Sequence, residues 1–196
     1  MGNRIVIIQG HPDPAGGRLC HALADSYARG AVAAGHEIRR IDVAHLEFPI
    51  LRTQDDFENR PPVASILAAQ DDIRWAQHLM IIHPLWHSGM PALLWAFFEQ
   101  TFRYGFFAEK RTPAKRFPKR LLCGRSAHVA ITLGMPALFY RWYMGSHGLK
   151  MFTGGVLWWS GIAPARSTLI GSVGNLSNEK AKTWVDRLEA DGRLAR

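Results

Sequence analysis

Apolar positions along this chain fall into short blocks that alternate between two periods. Ile5 to Ile8 form a continuous apolar run, as in a strand buried on both faces. The run stops at Gly10-His11-Pro12-Asp13-Pro14-Ala15-Gly16-Gly17, where prolines and glycines forbid regular structure. Leu19, Leu23 and Tyr27 then resume at helical spacing, which predicts a helix over about residues 17–34. Gly35 breaks that helix, and His36–Asp42 reads as a second strand. Residues 46–61, with Pro49, Pro61 and a DDFE run, read as a surface loop leading into a helix from Pro62 to Ala76. His78–His83 is a third, buried strand ended by Pro84, and the loop PLWHSGMP leads into a helix over Ala92–Phe102. Ser126–Thr132 makes a fourth strand. A fifth follows near 165–171, after a stretch rich in glycine and tryptophan, and a last helix runs over Asn178–Ala190 with Ser177 as its N-cap. Strands that alternate with helices imply an α/β fold, a doubly wound parallel sheet with helices on both faces. No repeat, low-complexity segment or linker divides residues 1–196, so one domain is expected.

Composition narrows the class. The chain of 196 residues is 47% hydrophobic, enough for a sizeable core. No apolar run reaches bilayer-spanning length, and the N-terminus lacks the long apolar segment of a signal peptide, so a cytoplasmic protein without an integral membrane segment is expected. Cys20 and Cys123 have no metal or disulfide spacing and read as buried free thiols. A net charge of +8 raises the question of nucleic acid. The basic residues concentrate at Arg103 and between Lys110 and Arg120, a cluster suited to RNA or an acidic membrane face, yet no helix-turn-helix, zinc-finger spacing or RNP-type strand accompanies them. A solvated basic loop that attracts anionic small molecules is the better reading, and no nucleic-acid partner is expected. His83 and His87 stand four apart, but Pro84 between them rules out the helical ligand pair, so no metal site is expected. A GxSxG elbow is also missing.

The candidate chemistry lies in the loops. A strand, a glycine-rich loop and a helix aim backbone N–H groups and a helix dipole at one spot, where a phosphate can sit. After Gly10 there is neither the Lys-Ser/Thr of an ATP-binding P-loop nor the GxGxxG dinucleotide fingerprint. In a doubly wound sheet the ligand binds at the carboxyl ends of the strands, and three loops fall there: Gly10–Arg18, Pro84–Pro91 and Thr132–Pro136 with Tyr140 behind it. The first offers phosphate donors. The second offers the Trp86 ring, the His87 imidazole and backbone groups, and the third a hydroxyl, a glycine and a phenol. Such walls suit a planar, partly polar ring, which points to a flavin.

The opening strand with His11 and its HPxP loop, Ala22-Leu23-Ala24, the segment PLWHSGMPALLWAFFEQTF from Pro84 to Phe102, and Thr132-Leu133-Gly134 carry a resemblance. On these residues the sequence resembles the flavodoxin-2-type NAD(P)H dehydrogenase (quinone) family. The resemblance implies a flavodoxin-like five-stranded sheet of order 2-1-3-4-5. It also implies a flavin, FAD or FMN, with its phosphates on His11, Gly16, Gly17, Arg18 and Leu19. Its ring would rest on Pro84, Leu85, Trp86 and His87 and on Thr132, Leu133, Gly134 and Met135. Tyr140 and His147 match the tyrosine and histidine that relatives place beside the flavin N1/O2 edge, His147 with a one-residue shift. The implied reaction is ping-pong hydride transfer from NAD(P)H through flavin N5 to a quinone or another small aromatic acceptor, in a homodimer. The chain departs from the family where Gly16 or Gly17 and Cys20 replace a Ser or Thr and an Asn, and where Met135-Pro136 replaces small residues. Arg18, Arg103 and the basic loop are the candidates to meet a 2′-phosphate. The alternative is a non-enzymatic flavodoxin-like electron carrier or a regulatory subunit of a potassium-efflux system; the +8 charge disfavours a carrier, since carriers are typically acidic.

Overall fold

The structure is a computed structural model that describes residues 2–110 and 118–196. Much of the expected basic loop, Lys110 to Arg120, lies outside the described residues. Five strands, β1 Arg4–Gln9, β2 Glu37–Asp42, β3 His78–Pro84, β4 Arg125–Thr132 and β5 Ile162–Ile170, pair in parallel in the order β2-β1-β3-β4-β5. This is the expected doubly wound sheet. β1 is apolar throughout because both of its faces are covered. Val6 and Ile8 face α3 (Ala64–Trp75) and α4 (Ala92–Thr101), while Ile5 and Ile7 face α1 (Leu19–Ala33). Leu188 of the last helix, α7 (Asn178–Arg193), joins that second layer.

The last helix can lie close to α1 for a steric reason. A Cβ on Gly30 would stand 1.9 Å from the Glu189 carbonyl oxygen, and one on Gly192 would stand 2.2 Å from that of Tyr27. Backbone meets backbone at both points, so a side chain at either would force the helices apart. The two edges are guarded against further pairing. β2 exposes Arg39 and Arg40, and β5 carries Arg166 and Pro164.

Several local expectations change. The loop expected over 46–61 contains a short helix, α2 Gln54–Glu58, begun by a reciprocal cap: Thr53 Oγ1 accepts from the Asp56 N–H, and the Asp56 carboxylate accepts from the Thr53 N–H. β5 starts three residues before the expected 165, with a register shift opposite Arg125/Ala127 that accommodates the additional residues. The stretch before β5 is helical. It runs as a π-helical turn Phe139–Tyr143, then α5 His147–Lys150, a second π-helical stretch Met151–Leu157, and α6 Trp158–Ser160. Its two inward aromatic residues, Tyr140 and Phe152, are wholly buried, and the tertiary core holds them despite Gly154-Gly155. Cys20 is buried as expected; Cys123 is exposed in the turn before β4, not buried.

Candidate functional site

The sheet brings the three loops together. The Gly10 N–H donates to the Ile82 carbonyl at 2.8 Å, which ties the end of β1 to β3. Pro84 pairs with Thr132, and the Leu85 N–H donates to the Thr132 carbonyl at 2.8 Å, tying β3 to β4. The Cys20 Sγ and Thr132 Oγ1 lie 3.3 Å apart and link the first turn of α1 to the start of the third loop. Burial and the apolar walls around Cys20 push its thiol up to about 11, so it acts as a neutral packing group.

The first loop fastens itself with its own side chains. Gln9 Oε1 accepts from the His11 N–H at 2.6 Å, His11 Nδ1 from the Asp13 N–H at 3.1 Å, and Asp13 Oδ1 from the Ala15 N–H at 3.0 Å. Because Nδ1 accepts, His11 carries its proton on Nε2. Burial, then repulsion from His21, lowers its pKa and favours that neutral form. Arg18 donates through Nε and Nη2 to Asp13 Oδ2 at 2.9 and 2.8 Å, and this bond holds the Asp13 carboxyl below its ordinary range. Arg18, expected to hold a phosphate, is thus already paired across the loop.

Between these ties Gly16 and Gly17 sit at φ +74° and +71°, a conformation that favours glycine, and nothing lies within 4 Å of where a Cβ would stand on either. Among the described residues, no protein group accepts from the N–H groups of Gly16, Gly17 or Leu19. The Gln9 side chain is buried, yet its Nε2 has no partner. An open backbone cradle with free N–H donors suits an anionic, hydrogen-bonding ligand and fits the phosphate end of a flavin nucleotide, and the Gln9 side chain helps hold the loop by accepting from the His11 N–H. Gln9 was missed by the sequence reading, although a polar residue closing the run IVIIQ was its visible signal.

The second loop is a tight reversal held from outside. Trp86 and Gly89 exchange N–H···O=C bonds at 2.9 Å each way. The two residues between them, His87 and Ser88, lie at φ 46° and 67°, the left-handed pattern of a type I′ turn at two non-glycine positions. Such geometry costs about 1–2 kcal/mol per residue and persists only where the surroundings enforce it. Here a later segment enforces it. A Cβ on Gly148 would stand 2.1 Å from the Ser88 carbonyl oxygen, so the GSHG turn and the loop are in backbone contact. The buried Tyr140 hydroxyl accepts from the Leu149 N–H at 3.2 Å and donates to that same Ser88 carbonyl at 3.4 Å. Beneath the loop His83 is fully enclosed, with Nδ1–H donating to the Pro84 carbonyl at 2.8 Å. Burial lowers its pKa to about 4, so it is a neutral core group. Trp86 is left half exposed, its ring open to a ligand.

The third loop is pinned to β5. The Leu133 N–H donates to Ile170, that of Ser172 to Met135, and that of Val173 to Leu133. The Leu133 side chain is fully buried, so only its backbone can meet a ligand, whereas Gly134 is exposed with open space about its Cα. His147 is exposed at the start of α5, its ring folded over Gly145, next to the Gly148 that contacts the second loop. The structure thus brings His11, Gly16, Gly17, Leu19, Pro84 to His87, Thr132 to Met135, Tyr140 and His147 to one end of the sheet.

Arg103 is elsewhere and is corrected. It is 5% exposed and donates to the carbonyls of Asp56, Phe57 and Arg60, closing the end of α2, so it is a structural residue and not a phosphate ligand. Among the described residues no group of His, Cys, Asp or Glu could hold a metal ion.

A family model described as a flavodoxin-like fold matches residues 3–191. A ribosyldihydronicotinamide dehydrogenase-like protein of Penicillium crustosum is 25% identical over 156 residues, which cover 67% of this chain and 57% of that protein. The chain therefore spans little more than half the length of that curated relative. A putative quinone reductase from Klebsiella pneumoniae superimposes with a TM-score of 0.82 at 20% identity, over 97% of this chain and 83% of that one. An NAD(P)H:quinone oxidoreductase from Methanothermobacter marburgensis gives 0.80 at 19% identity, over 98% and 96%. An FMN-dependent NADH-azoreductase from Bacillus anthracis, solved with FMN, gives 0.73 at 15% identity, over 99% and 100%. At these identities the structural likeness speaks for the fold.

Proposed function

We infer, from the premise that this chain belongs to the Flavodoxin_2 family with its flavodoxin-like fold, that it is a flavin-dependent NAD(P)H oxidoreductase acting on quinones or related aromatic acceptors. The observation that carries this reading is the bare backbone cradle at Gly16-Gly17, held at the sheet end where Gly10 bonds to Ile82 of β3 and Cys20 meets Thr132 of the third loop. The names of the relatives, quinone oxidoreductases and an FMN-dependent azoreductase, agree with it.

In this reading the N–H groups of Gly16, Gly17 and Leu19 and the imidazole of His11 hold the flavin phosphate. The backbone of Pro84 to His87 and of Thr132 to Met135 supports the ring. A flavin held there would supply the two-electron hydride chemistry that passes electrons from NAD(P)H to the acceptor in ping-pong order. The protein's part is to orient and to balance charge. Trp86 offers an aromatic face for stacking, and His147 is the N–H donor free to meet negative charge. Tyr140 acts by holding the Ser88 carbonyl, which fixes the strained loop that carries Trp86 and His87. FMN is the flavin proposed, its single phosphate matching the one backbone cradle at Gly16-Gly17. A homodimer is part of the proposal. The apolar cavity of about 190 Å³ that Trp95, Phe98, Phe102, Phe107 and Val156 line beside α4 is the face a second copy would cover.

The test is an absorbance spectrum of the purified protein, repeated after anaerobic addition of NADPH and then menadione. Flavin bands that bleach with NADPH and return with menadione are expected. Bands that ignore NADPH and NADH alike point to the carrier or regulatory role, and a protein that takes up no flavin on reconstitution overturns the site.

A further inference from the structure

Between Thr132 and Glu179 the sequence carries three Lys and Arg residues, Arg141, Lys150 and Arg166, and no Asp or Glu. Within it, the π-helical turn Phe139–Tyr143 and the residue before it present four large apolar side chains to solvent. Leu138 is 69% exposed, Phe139 45%, Trp142 79% and Tyr143 81%. Residues four apart share a side of the turn, and the Phe139 and Tyr143 rings stack at 4.8 Å. Tyr140, buried and hydrogen-bonded, anchors the turn from within. Four large apolar side chains exposed side by side on one turn mark an interaction site.

Beside it lies a polar groove of about 190 Å³. Arg141 of the turn and Arg187 of α7 stand on its walls, with Ser167 and Thr168 of the edge strand β5 between them. Trp184 lies under the Arg187 guanidinium, 5.1 Å from ring centroid to charge centre. No acidic side chain lines the groove.

We propose that this face docks on an anionic phospholipid bilayer. Leu138, Phe139, Trp142 and Tyr143 enter the interfacial layer, and Arg141 and Arg187 receive a lipid phosphate. Tryptophan and tyrosine favour the interface because each has an apolar body and a polar tip, and the planar guanidinium fork matches a phosphate. The groove lining has no carboxylate to repel a lipid phosphate. A second copy of the chain is the competing occupant. Symmetric pairing through this turn would bring Arg141 and Arg187 of one copy against those of the other, whereas a bilayer supplies the missing negative charge. Among the described residues no helix is long and apolar enough to cross a membrane, so attachment is peripheral. The turn follows the third loop, at the same sheet end as the candidate site. Docking would therefore turn the site toward the lipid phase, a consequence that rests on the function proposed above, while the docking itself does not.

The test is flotation of the purified full chain with vesicles of phosphatidylcholine alone and of phosphatidylcholine mixed with phosphatidylglycerol, at low and high salt. Flotation with the mixed vesicles, release by salt and no flotation with phosphatidylcholine alone are expected. Combining Trp142→Ser with Tyr143→Ser should abolish flotation, and Arg141→Ser and Arg187→Ser should each weaken it about fivefold. All four side chains are exposed, so an unchanged thermal midpoint shows that the fold is intact. No flotation, equal flotation with neutral vesicles, or variants that float like the wild type would overturn the proposal. Light scattering run alongside gives the remaining outcome: if the tryptophan and tyrosine changes convert a dimer to a monomer and the wild type does not float, the patch belongs to a second copy and the proposal fails.

Discussion

The first and second loops end neighbouring strands at the same edge of the site, yet they are held in opposite ways. Gly10–Arg18 is tied by short-range bonds among its own side chains near the surface, with Asp13 and Arg18 as the clasp. Pro84–Pro91 makes one internal reversal, and its strained residues are held from beneath by Tyr140 and Gly148, some fifty to sixty residues later in the chain. A loop closed by local polar bonds in water is weakly held and adaptable. One closed by buried long-range contact is as firm as the core behind it.

The sharpest way to break this contrast is to put a side chain at Gly148. Gly148→Val drives a Cβ into the Ser88 carbonyl, and a loss of about 3 kcal/mol in urea unfolding is expected, together with loss of flavin retention. If Gly148→Val retains both flavin and stability, the second loop is not held from beneath.

Acid should separate the two loops next. The pKa of His83 falls from its ordinary 6.5 to about 4 on folding, so between those values the unfolded chain binds a proton that the folded protein excludes. Stability is then full above pH 6.5 and is lost as pH falls toward 4, by on the order of 3 kcal/mol from this residue. His78, lowered to about 4 by burial, adds to the same slope. The Asp13 carboxylate, held low by Arg18, stays charged throughout that window, and its contribution disappears only at lower pH. Urea midpoints across this range should fall less steeply in His83→Gln, which leaves the His78 contribution, and keep their slope in Asp13→Asn.

Tyr140→Phe is a milder cut. It strands the Leu149 N–H and releases the Ser88 carbonyl, at a cost of about 1–2 kcal/mol. Flavin titration of the apoprotein should show affinity about tenfold weaker, with Trp86 and His87 less well ordered. The smallest effect is expected for Asp13→Asn, which opens an exposed clasp. Its thermal midpoint should shift little, and the shift should vanish at high salt.

Legibility followed the same divide. The first loop could be read because strand, glycine-rich turn and helix are contiguous, and each leaves its own periodicity in IVIIQGHPDPAGGRLCHAL. The second was recognised as unusual from PLWHSGMP, but its strain and its support were not, because Tyr140 and Gly148 are far away in sequence. The helical run from Phe139 to Ser160 was missed for a related reason. Leu138, Phe139, Trp142, Tyr143, Trp158 and Trp159 point outward, so its apolar residues do not mark a buried face, and Gly154-Gly155 argues locally against a helix. Arg103 misled because a cationic residue beside a basic loop looks like a surface charge, and only packing reveals three carbonyls waiting for it.

The sequence by itself determined the alternation of strands and helices, the parallel sheet and the three loops that carry the site, since each rests on a pattern repeated within a few residues. Tertiary structure alone decided which groups are free to act. It paired Arg18 with Asp13, buried the Tyr140 hydroxyl between two backbone groups, left the Gln9 amide without a partner and turned an aromatic face outward beside two arginines. Whether a polar group is spent or available depends on which distant atoms packing brings within about 3 Å of it, and that distance is not written in local periodicity.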